Sequence, residues 1–475
     1  MTAVVLALVW LMGIAAVRLM MPAPLRWSLQ NAIILSAGAG LGIGIASSLY
    51  FVVLALAGPN LVALASVEGA VLVVLVAAGL IVKPRLDPLD FASGPATPGY
   101  LTVLFAAAAV IAVIAAIGAY SLKPHGEWDA WSIWNLRARF LFRAGEFWKD
   151  AFSSQIAWSH PDYPLLVPAI VAMCWTLAGA ETTVAPGIVA FLFTFAAAGT
   201  LIATVGILRG KMQSYLAGIL LLGSTSFIVI GADQYADVPL SFFILGSLAV
   251  LCLEDRNPGD LRLSMLAGLI AGLAAWTKNE GLLFVAALVV ARLVALFFYA
   301  DRSAMGRRVG GIVAGLISPL AVVAFFKLRF APPNDLLSGP GKQVMAHLFD
   351  FGRWVTVIEG FLIALLRVGG FLIPIVLLLA LYWYLLRFKV EPGLRVSVAT
   401  VGFALALMLA GDFSVYVLFP NDVAWQVNTS VERILLQVWP AALLAFFLAV
   451  NVPQLVGETQ VVHKGKAKER VKRQK

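Results

Sequence analysis

The chain has 475 residues, of which 61% are hydrophobic and 12% are charged, and its formal net charge is +9. A soluble globular protein carries about 25% charged residues, so this composition excludes a soluble protein and indicates a chain that lies in a membrane. The basic residues fall mostly in loops, so we interpret them as topology signals and expect no nucleic-acid partner.

Apolar runs of about twenty residues recur along the whole chain, and each is long enough to cross a hydrocarbon core of about 30 Å. They predict an all-α polytopic membrane protein with about thirteen transmembrane helices. The first run, Val4 to Val17, lacks a preceding basic segment and a small-residue cleavage site, so we interpret it as a retained span. The predicted spans are 3–20, 30–57, 60–82, 99–120, 184–208, 212–231, 237–253, 262–277, 280–299, 309–331, 368–388, 396–418 and 435–452.

Basic clusters in alternate connections orient these spans, because cytoplasmic loops carry an excess of Lys and Arg. They predict an outer N-terminus and a cytoplasmic tail. The segments 165–177 and 355–366 then begin and end outside, so they lie along the membrane or re-enter it. The alternative is that both are ordinary spans and the orientation is wrong. The clusters are Arg18 with Arg26, Lys83 with Arg85, Arg209 with Lys211, Arg256 with Arg262, Arg302 with Arg307 and Arg308, Arg387 with Lys389 and Arg395, and the tail from His463.

The predicted outer loop 121–163 carries a tryptophan-rich acidic motif, Trp128-Asp129-Ala130-Trp131. Trp prefers the membrane–water interface, and a carboxylate among such rings suits chemistry on a lipid-linked molecule. The motif predicts an interfacial amphipathic helix with Asp129 near its start. Asp129 is then a general base or an acceptor-orienting group, and the alternative is a plain helix N-cap. One side of this helix holds Asp129, Ser132, Arg139 and Arg143, and the other holds Trp131, Trp134, Ala138 and Leu141.

The same loop ends in His160-Pro161-Asp162-Tyr163-Pro164. The two prolines predict an extended segment before the next apolar run. His160 or Asp162 is a candidate hydrogen-bond partner of a sugar or phosphate. The alternative is the capped start of a helix.

A second acidic motif, Asp233-Gln234-Tyr235-Ala236-Asp237, precedes Val238-Pro239 at the outer end of a span. Asp237 could cap that helix, since proline favours the first turn. The two carboxylates with Tyr235 could also hold a divalent metal or a second substrate. Two carboxylates alone are a weak metal signal, because hard cations want several oxygens. The sequence requires no cofactor, and the metal stays an alternative.

Two cationic positions complete the candidate site. Lys278 and Glu280 interrupt an apolar run at 276–281, and a phosphate partner would explain a lysine on the outer side. Arg433 precedes the last span and is a candidate phosphate clamp, with a snorkelling interfacial anchor as the alternative. Arg367 lies in an apolar stretch and predicts a structural salt bridge.

The order of these motifs resembles the integral-membrane glycosyltransferases of the GT-C superfamily, with the protein O-mannosyltransferase and lipid A aminoarabinose transferase branch as the closest. The resemblance covers roughly residues 99 to 300. The chain departs from that pattern in the first loop, where Trp128 separates Glu127 from Asp129 and no paired Asp-Glu occurs. The matching elements are Asp129, then His160 to Leu165, then Asp237-Val238-Pro239-Leu240, and then Thr277 to Gly281.

The resemblance implies inverting transfer of a sugar from a polyprenyl-phosphate donor to an extracytoplasmic acceptor, at the outer face of the cytoplasmic membrane. It implies Asp129 as the base, supported by Asp233 and Asp237. Donor and substrate contacts would come from Lys278, Glu280, Arg433, His160, Asp162, Trp128, Trp131, Tyr235 and Arg139. The implied division is 1–98 for additional helices, 99–300 for the GT-C-like core, 301–452 for C-terminal helices and 453–475 for a basic tail.

A secondary transporter or flippase of a lipid-linked substrate is the competing hypothesis. Transporters place polar groups near the bilayer midplane on broken helices, often in two repeated halves. The polar motifs of this chain fall mainly at span ends, without a clear repeat. The sequence contains no P-loop and no GxGxxG motif, so ATP-driven transport and dinucleotide chemistry have no motif support. Cys174 and Cys252 lie in apolar segments, which argues against a disulfide framework or cysteine-ligated metal.

Overall fold

The computed structural model describes residues 1–21, 28–82, 89–256, 258, 260–333, 346–370, 372–418 and 422–452. Within these ranges the chain is helical, without a named strand, and one isolated antiparallel bridge joins Phe388 and Val450. The predicted basic tail and the loop residues Arg26, Lys83 and Arg85 lie outside the described residues.

We number the described α-helices in chain order. They are α1 Thr2–Met20, α2 Leu29–Ala57, α3 Leu61–Ile81, α4 Gly99–Leu122, α5 Asn135–Arg143, α6 Leu166–Ala178, α7 Val184–Arg209, α8 Lys211–Leu222, α9 Thr225–Ala232, α10 Asp237–Glu254, α11 Leu261–Thr277, α12 Glu280–Tyr299, α13 Met305–Arg329, α14 Phe351–Arg367, α15 Ile375–Leu386, α16 Arg395–Leu418 and α17 Val423–Ala449.

Ten helices in the described part of the chain are long and apolar enough to cross a membrane. The consecutive helices α8 and α9 form a further candidate, a broken span bent by 58°. Shorter apolar helices are α6, α11 and α15. The chain is therefore a polytopic helical membrane protein. The ten helices are α1, α2, α3, α4, α7, α10, α12, α13, α16 and α17.

Contacts at the helix ends define two ends of the bundle. The first residue of α10, Asp237, contacts Lys278 between α11 and α12, and we call this the site end. The last residue of α10, Glu254, contacts Arg292 of α12 and Arg308 of α13, and we call this the distal end. The short helix α11 connects the same two ends in 17 residues, or roughly 25 Å at 1.5 Å per residue.

Close glycine contacts hold the N-terminal helices in the bundle. A Cβ on Gly13 of α1 would lie 1.9 Å from the carbonyl oxygen of Gly38 in α2. A Cβ on Gly40 of α2 would lie 2.0 Å from the ring of Phe242 in α10. Small residues let the backbones of membrane helices approach closely. Such packing is important in a membrane because lipid tails provide no hydrophobic driving force between helices. The first two helices therefore contribute directly to the packing around α10.

The distal end is held by a buried ion network that joins α10, α12, α13 and α16. Arg292 donates to both Glu254 and Asp255, with 2.8 Å to the Oδ1 atom of Asp255. Arg308 donates to the same two carboxylates, and the Oγ atom of Ser397 lies 2.7 Å from Asp255. Removal of one partner from such a network leaves an uncompensated buried charge. The network therefore sets the relative positions of four helices.

The segment predicted at 165–177 is neither an ordinary span nor a surface helix. Helix α6 has 13 residues, or roughly 20 Å at 1.5 Å per residue, which is too short to cross a core of about 30 Å. All of its residues from Leu166 to Trp175 are buried. It packs against α2, α5 and α7 inside the bundle, because its apolar character continues around the whole helix.

Candidate functional site

Asp237 lies at the centre of the candidate site and is completely buried. Its carboxylate accepts hydrogen bonds from Lys278 at 3.1 Å, from Arg433 at 3.0 Å and 3.2 Å, and from Gln437 at 2.7 Å. The residue before α10 is Ala236, and no side chain caps the helix. The capping interpretation of Asp237 is therefore wrong. Its negative charge lies in the first turn, where the helix dipole is favourable.

Arg433 of α17 joins Asp237 to the loop that follows α4. Its Nη2 atom lies 2.6 Å from the Oδ2 atom of Asp129 and 3.0 Å from Asp237. The guanidinium also lies over the Tyr235 ring, 4.6 Å from the ring centroid. Asp129 and Arg433 are 304 residues apart in the chain. The structure thus brings the predicted base and the predicted phosphate clamp into direct contact.

Lys278 and Glu280 form the second cationic element of the site, in the turn between α11 and α12. The Nζ atom of Lys278 lies 2.8 Å from Glu280 and 3.1 Å from Asp237. Burial by itself lowers the pKa of Lys278, but the charges of Asp237 and Glu280 outweigh that effect and raise it above its usual range. Lys278 is therefore a fixed positive charge.

A close backbone approach holds this turn in place. Gly281 follows Glu280 at the start of α12, and a Cβ at Gly281 would lie 1.9 Å from the carbonyl oxygen of Ala274 in α11. A larger residue at this position would separate the two helices. The glycine therefore positions the charged turn beside Asp237.

Asp129 lies in a helical segment that is not a regular α-helix. A π-helical turn, Ala130–Trp134, follows it and leads into α5. The Asp129 side chain makes no capping hydrogen bond, so the capping interpretation is wrong here too. Its side chain is 16% exposed, whereas that of Asp237 is completely buried.

The π turn changes which side chains share a face. We expected Trp131 on one face with Trp134 and Ala138, but Trp131 is exposed while the other two are buried. Ser132, expected beside Asp129 on the polar face, is also buried. A π turn adds a residue to the helical repeat, so a projection with 3.6 residues per turn fails across it.

Trp128 and Trp131 form an exposed aromatic pair beside Asp129. They are 59% and 41% exposed, and their ring centroids are 4.5 Å apart in an edge-to-face arrangement. Exposed indole rings at the end of a membrane bundle suit the interfacial region. The pair therefore presents an exposed aromatic surface next to Asp129 in the chain.

Asp233 directly follows α9 and begins the turn that leads into α10. Its carbonyl oxygen accepts from the Glu127 backbone at 3.2 Å. Burial raises the pKa of the Asp233 carboxyl, while Lys123 opposes the shift. Among the described residues, no hydrogen bond or ion pair joins it to Asp237 or Arg433. The structure therefore places Asp233 next to the site as part of its wall.

The loop and the turn before α10 are fastened together by side chains. Gln234 has a φ of 63°, in the left-handed region that non-glycine residues rarely adopt. Its side-chain amide accepts from Asn135 at 2.9 Å and donates to the Pro124 carbonyl at 3.0 Å. A Cβ on Gly126 would lie 2.6 Å from the Asp233 carbonyl oxygen. These contacts hold the Asp129 segment against α10.

The segment around His160 approaches the charged turn through Asp162. Asn279 donates to the Asp162 carboxylate at 2.8 Å, and Lys327 of α13 donates to Asn279 at 2.7 Å. His160 stacks on Tyr163 with 4.8 Å between ring centroids and has a φ of 49°. Helix α6 begins after Leu165 without a side-chain cap, so the capped-start interpretation is wrong.

Tyr163 is partly buried beside the charged cluster. Burial raises its pKa, and the nearby Glu280 adds to the shift while Lys278 opposes it. Its backbone carbonyl accepts from Arg137 at 2.5 Å. The Tyr163 phenol therefore stays neutral near Lys278 and Glu280.

Arg139 lies apart from this cluster. Its Nε atom lies 2.8 Å from the Glu181 carboxylate, which also pairs with Arg143. With His125 and Trp175, Arg139 lines a small cavity of about 70 Å³. The structure does not bring Arg139 to Asp237 or Arg433, because the π turn rotates α5 relative to the predicted face.

Four residues of the site were missed by the sequence analysis. Gln437 follows Arg433 by four residues on α17, a spacing that places both on one helix face and could have identified it. Asp412 is a lone carboxylate in an apolar span, which is itself a functional signal. Asn279 and Lys327 carried no comparable signal.

The arrangement holds two cations among carboxylates at the site end of the bundle. Asp237 is bonded to both Lys278 and Arg433, and the Arg433 guanidinium is also bonded to Asp129. Within the described ranges, no group of three or more His, Cys, Asp or Glu side chains is arranged to hold a metal ion. Charge-assisted hydrogen bonds of this kind suit recognition of an anion such as phosphate.

Comparisons with protein-family models, with curated proteins and with solved structures find no match for this chain.

Proposed function

We propose that this protein is an integral-membrane glycosyltransferase of the GT-C type. It moves a sugar from a polyprenyl-phosphate donor to an extracytoplasmic acceptor, a glycan, lipid or protein, with inversion at the anomeric carbon. The observation that carries the proposal is the bridge from Asp129 through Arg433 to the buried Asp237, at one end of a membrane bundle. It joins an accessible carboxylate to fixed cations.

The donor phosphate binds at Lys278 and Arg433. Asp237 uses both carboxylate oxygens for Lys278, Arg433 and Gln437 and has no exposed surface. It therefore orients the two cations and does not itself exchange protons with substrate. Cations that are fixed before the reaction stabilise the charge that develops on the leaving phosphate without reorganisation.

Asp129 is the general base in this proposal. Its carboxylate accepts the proton of the acceptor hydroxyl, and the acceptor oxygen forms a bond to the anomeric carbon. The bond from that carbon to the phosphate oxygen breaks, and polyprenyl phosphate leaves with the electron pair. Trp128 and Trp131 flank Asp129 at the exposed edge, where sugar and prenyl groups would arrive.

The topology that goes with this proposal has thirteen spans, with α11 and α15 as short spans and α8–α9 as one broken span. It places the N-terminus and the site end outside the cytoplasmic membrane and the distal end inside. The basic residues Arg256, Arg302 and Arg308 lie at or near the distal end. Positive charge on that side supports this orientation.

A transporter or flippase of a lipid-linked substrate is the second candidate, favoured by the break between α8 and α9. Discontinuous helices are common at transporter binding sites, and this one is bent by 58°. A cavity of about 300 Å³ lies at the break, lined among others by Thr225, Ser226, Arg367 and Glu432. Arg367 and Glu432 are 3.8 Å apart there, both exposed.

The deciding experiment uses the full-length protein in lipid vesicles with a polyprenyl-phosphate sugar and a candidate acceptor. Acceptor-dependent release of free polyprenyl phosphate, matched by glycosylated product, is expected. Release without a sugar product would indicate hydrolysis, and movement of the intact donor without turnover would establish the transporter. Lys278→Gln removes one of the proposed phosphate contacts and should weaken donor use, and Lys149→Gln, at an exposed lysine of the segment 121–163, is its charge control.

A further inference from the structure

Asp412 is a buried carboxylate that the proposed reaction does not use. It lies in α16, six residues before the helix ends at Leu418, or roughly 9 Å along the axis. Only 3% of the residue is exposed. The neighbouring Gly411 packs against α12, where an added Cβ would lie 2.7 Å from the Leu283 side chain. Asp412 is therefore held against the first turns of α12, next to the site.

Asp412 has no hydrogen-bond partner on its Oδ2 atom, and no ion pair to it occurs among the described residues. Asp237 shows the opposite situation at the same end of the bundle, with two cations and an amide around it. Burial of an ionised carboxylate without a partner is so unfavourable that such a group takes up a proton instead.

The charged and polar groups around this part of α16 come from several neighbouring elements. The charges of Glu280 and Lys278, in the turn between α11 and α12, have opposite electrostatic effects on Asp412. Tyr416, one turn later on α16, is hydrogen-bonded to Ser430 of α17 at 2.6 Å. From α14, Arg353 donates to the Val417 carbonyl at 2.6 Å, and to that of Tyr416. Lys278 is already paired with two carboxylates, those of Asp237 and Glu280.

The charge of Asp412 would change the balance of charges that a donor phosphate meets at the site. Lys278 and Arg433 already face three carboxylates, those of Asp129, Asp237 and Glu280. An ionised Asp412 would add a fourth beside Lys278. A donor phosphate would then meet four carboxylates and two cations instead of three carboxylates and two cations, and like charges repel.

We propose that Asp412 is a positioning residue that carries a proton in the resting protein, and that this neutral acid keeps Lys278 available to the substrate phosphate. The proton itself follows from the burial and the missing partner. The effect on the donor rests on the proposed function. Loss of the proton makes Asp412 a competitor for Lys278 and weakens donor binding.

Infrared difference spectroscopy tests the proton without any substrate. The spectrum of the full-length protein in lipid, minus that of Asp412→Asn, is expected to show the C=O stretch of a protonated carboxyl group. Asp301→Asn, at an exposed aspartate of the distal end, should not remove that band. Absence of that band from the difference spectrum overturns the proposal. Should Asp412→Asn not be recovered as a monodisperse protein, Asp412→Ser gives the same comparison.

The pH dependence of the donor KM tests the consequence. In the wild type the KM should rise with pH once Asp412 loses its proton, by up to roughly tenfold per pH unit, with kcat less affected. In Asp412→Asn this rise should disappear while transfer continues. Loss of transfer in Asp412→Asn at every pH would show that the ionised carboxylate is needed, against the proposal. If the wild type shows no transfer at all, the proposed function fails, and the infrared result still decides whether Asp412 is protonated.

Discussion

At the scale of single residues, the three acidic groups of the site differ in what surrounds them. Asp237 is buried and bonded to two cations and an amide. Asp129 is bonded to one cation and is partly exposed. Asp412 is buried, and its Oδ2 atom has no hydrogen-bond partner among the residues that the structure describes. One residue type thus serves as a counter-ion, as the proposed base and as the proposed neutral acid, because the environment of a carboxyl group decides its charge and accessibility.

We predict that Asp129→Asn lowers kcat for sugar transfer by about 10²–10⁴-fold. The amide keeps the shape and one hydrogen bond to Arg433 but cannot accept the acceptor proton. The measurement is initial-rate transfer with purified protein, together with thermal stability in detergent. Near-normal transfer by this variant would contradict the role of Asp129 and move the search for the base to Glu127, Asp162 or Asp233.

We predict that Arg433→Ala both weakens donor use and destabilises the protein. Loss of a charge-assisted hydrogen bond, worth about 1.5–3 kcal/mol, corresponds to roughly tenfold to more than a hundredfold in donor KM. It also leaves Asp237 with one cation fewer, and a broken buried pair costs about 3–5 kcal/mol. The measurements are donor KM and the midpoint of thermal unfolding.

The double variant Arg433→Ala/Asp237→Asn separates these two effects. It removes the buried charge together with its partner, so the unfolding midpoint should recover in part while donor use stays poor. A double variant less stable than Arg433→Ala alone would show that the pair is not coupled through that charge.

At the scale of elements, the site depends on irregular backbone where helices meet. The π turn Ala130–Trp134 sets the direction of the Asp129 segment, and the turn between α11 and α12 presents Lys278. The left-handed conformation of Gln234 fastens the loop to α10. Such local departures are common at functional sites and persist only where surrounding contacts determine them.

We predict that Gly281→Ala lowers stability and transfer together. The added Cβ would approach the Ala274 carbonyl oxygen to 1.9 Å, so α12 must shift and carry Lys278 and Glu280 with it. Gly402→Ala is the matched control, since a Cβ at that helical position meets no atom within 4 Å. Equal unfolding midpoints for the two variants would contradict this account.

At the scale of the whole molecule, two ion networks stand at opposite ends of the same helix. Asp237 begins α10 in the candidate site, and Glu254 ends it in the distal network. The carboxylates of the distal network, Glu254 and Asp255, are buried and paired with Arg292 and Arg308, which suits a structural role. The site end carries the exposed tryptophans and the accessible carboxylate. The asymmetry supports chemistry at one end of the bundle.

We predict that the two ends face opposite sides of the membrane. Cysteines introduced at the exposed Ser154 and Arg302 should react with an impermeant thiol reagent from opposite sides, with Ser154→Cys labelled from outside in intact cells. The native Cys174 and Cys252 are buried and give little background. Labelling of both variants from one side would overturn the proposed topology.

The amino-acid sequence by itself determined that this chain is a polytopic helical membrane protein, because apolar length and scarcity of charge are local properties. It also determined which polar residues stand out, among them Asp129, Asp237, Lys278 and Arg433. Tertiary structure alone decided that Arg433 meets Asp129 across 304 residues, that Arg139 turns away to Glu181, and that α6 is buried. Pairing between distant helices depends on how the bundle packs, and a single π turn is enough to redirect a face that regular periodicity predicts.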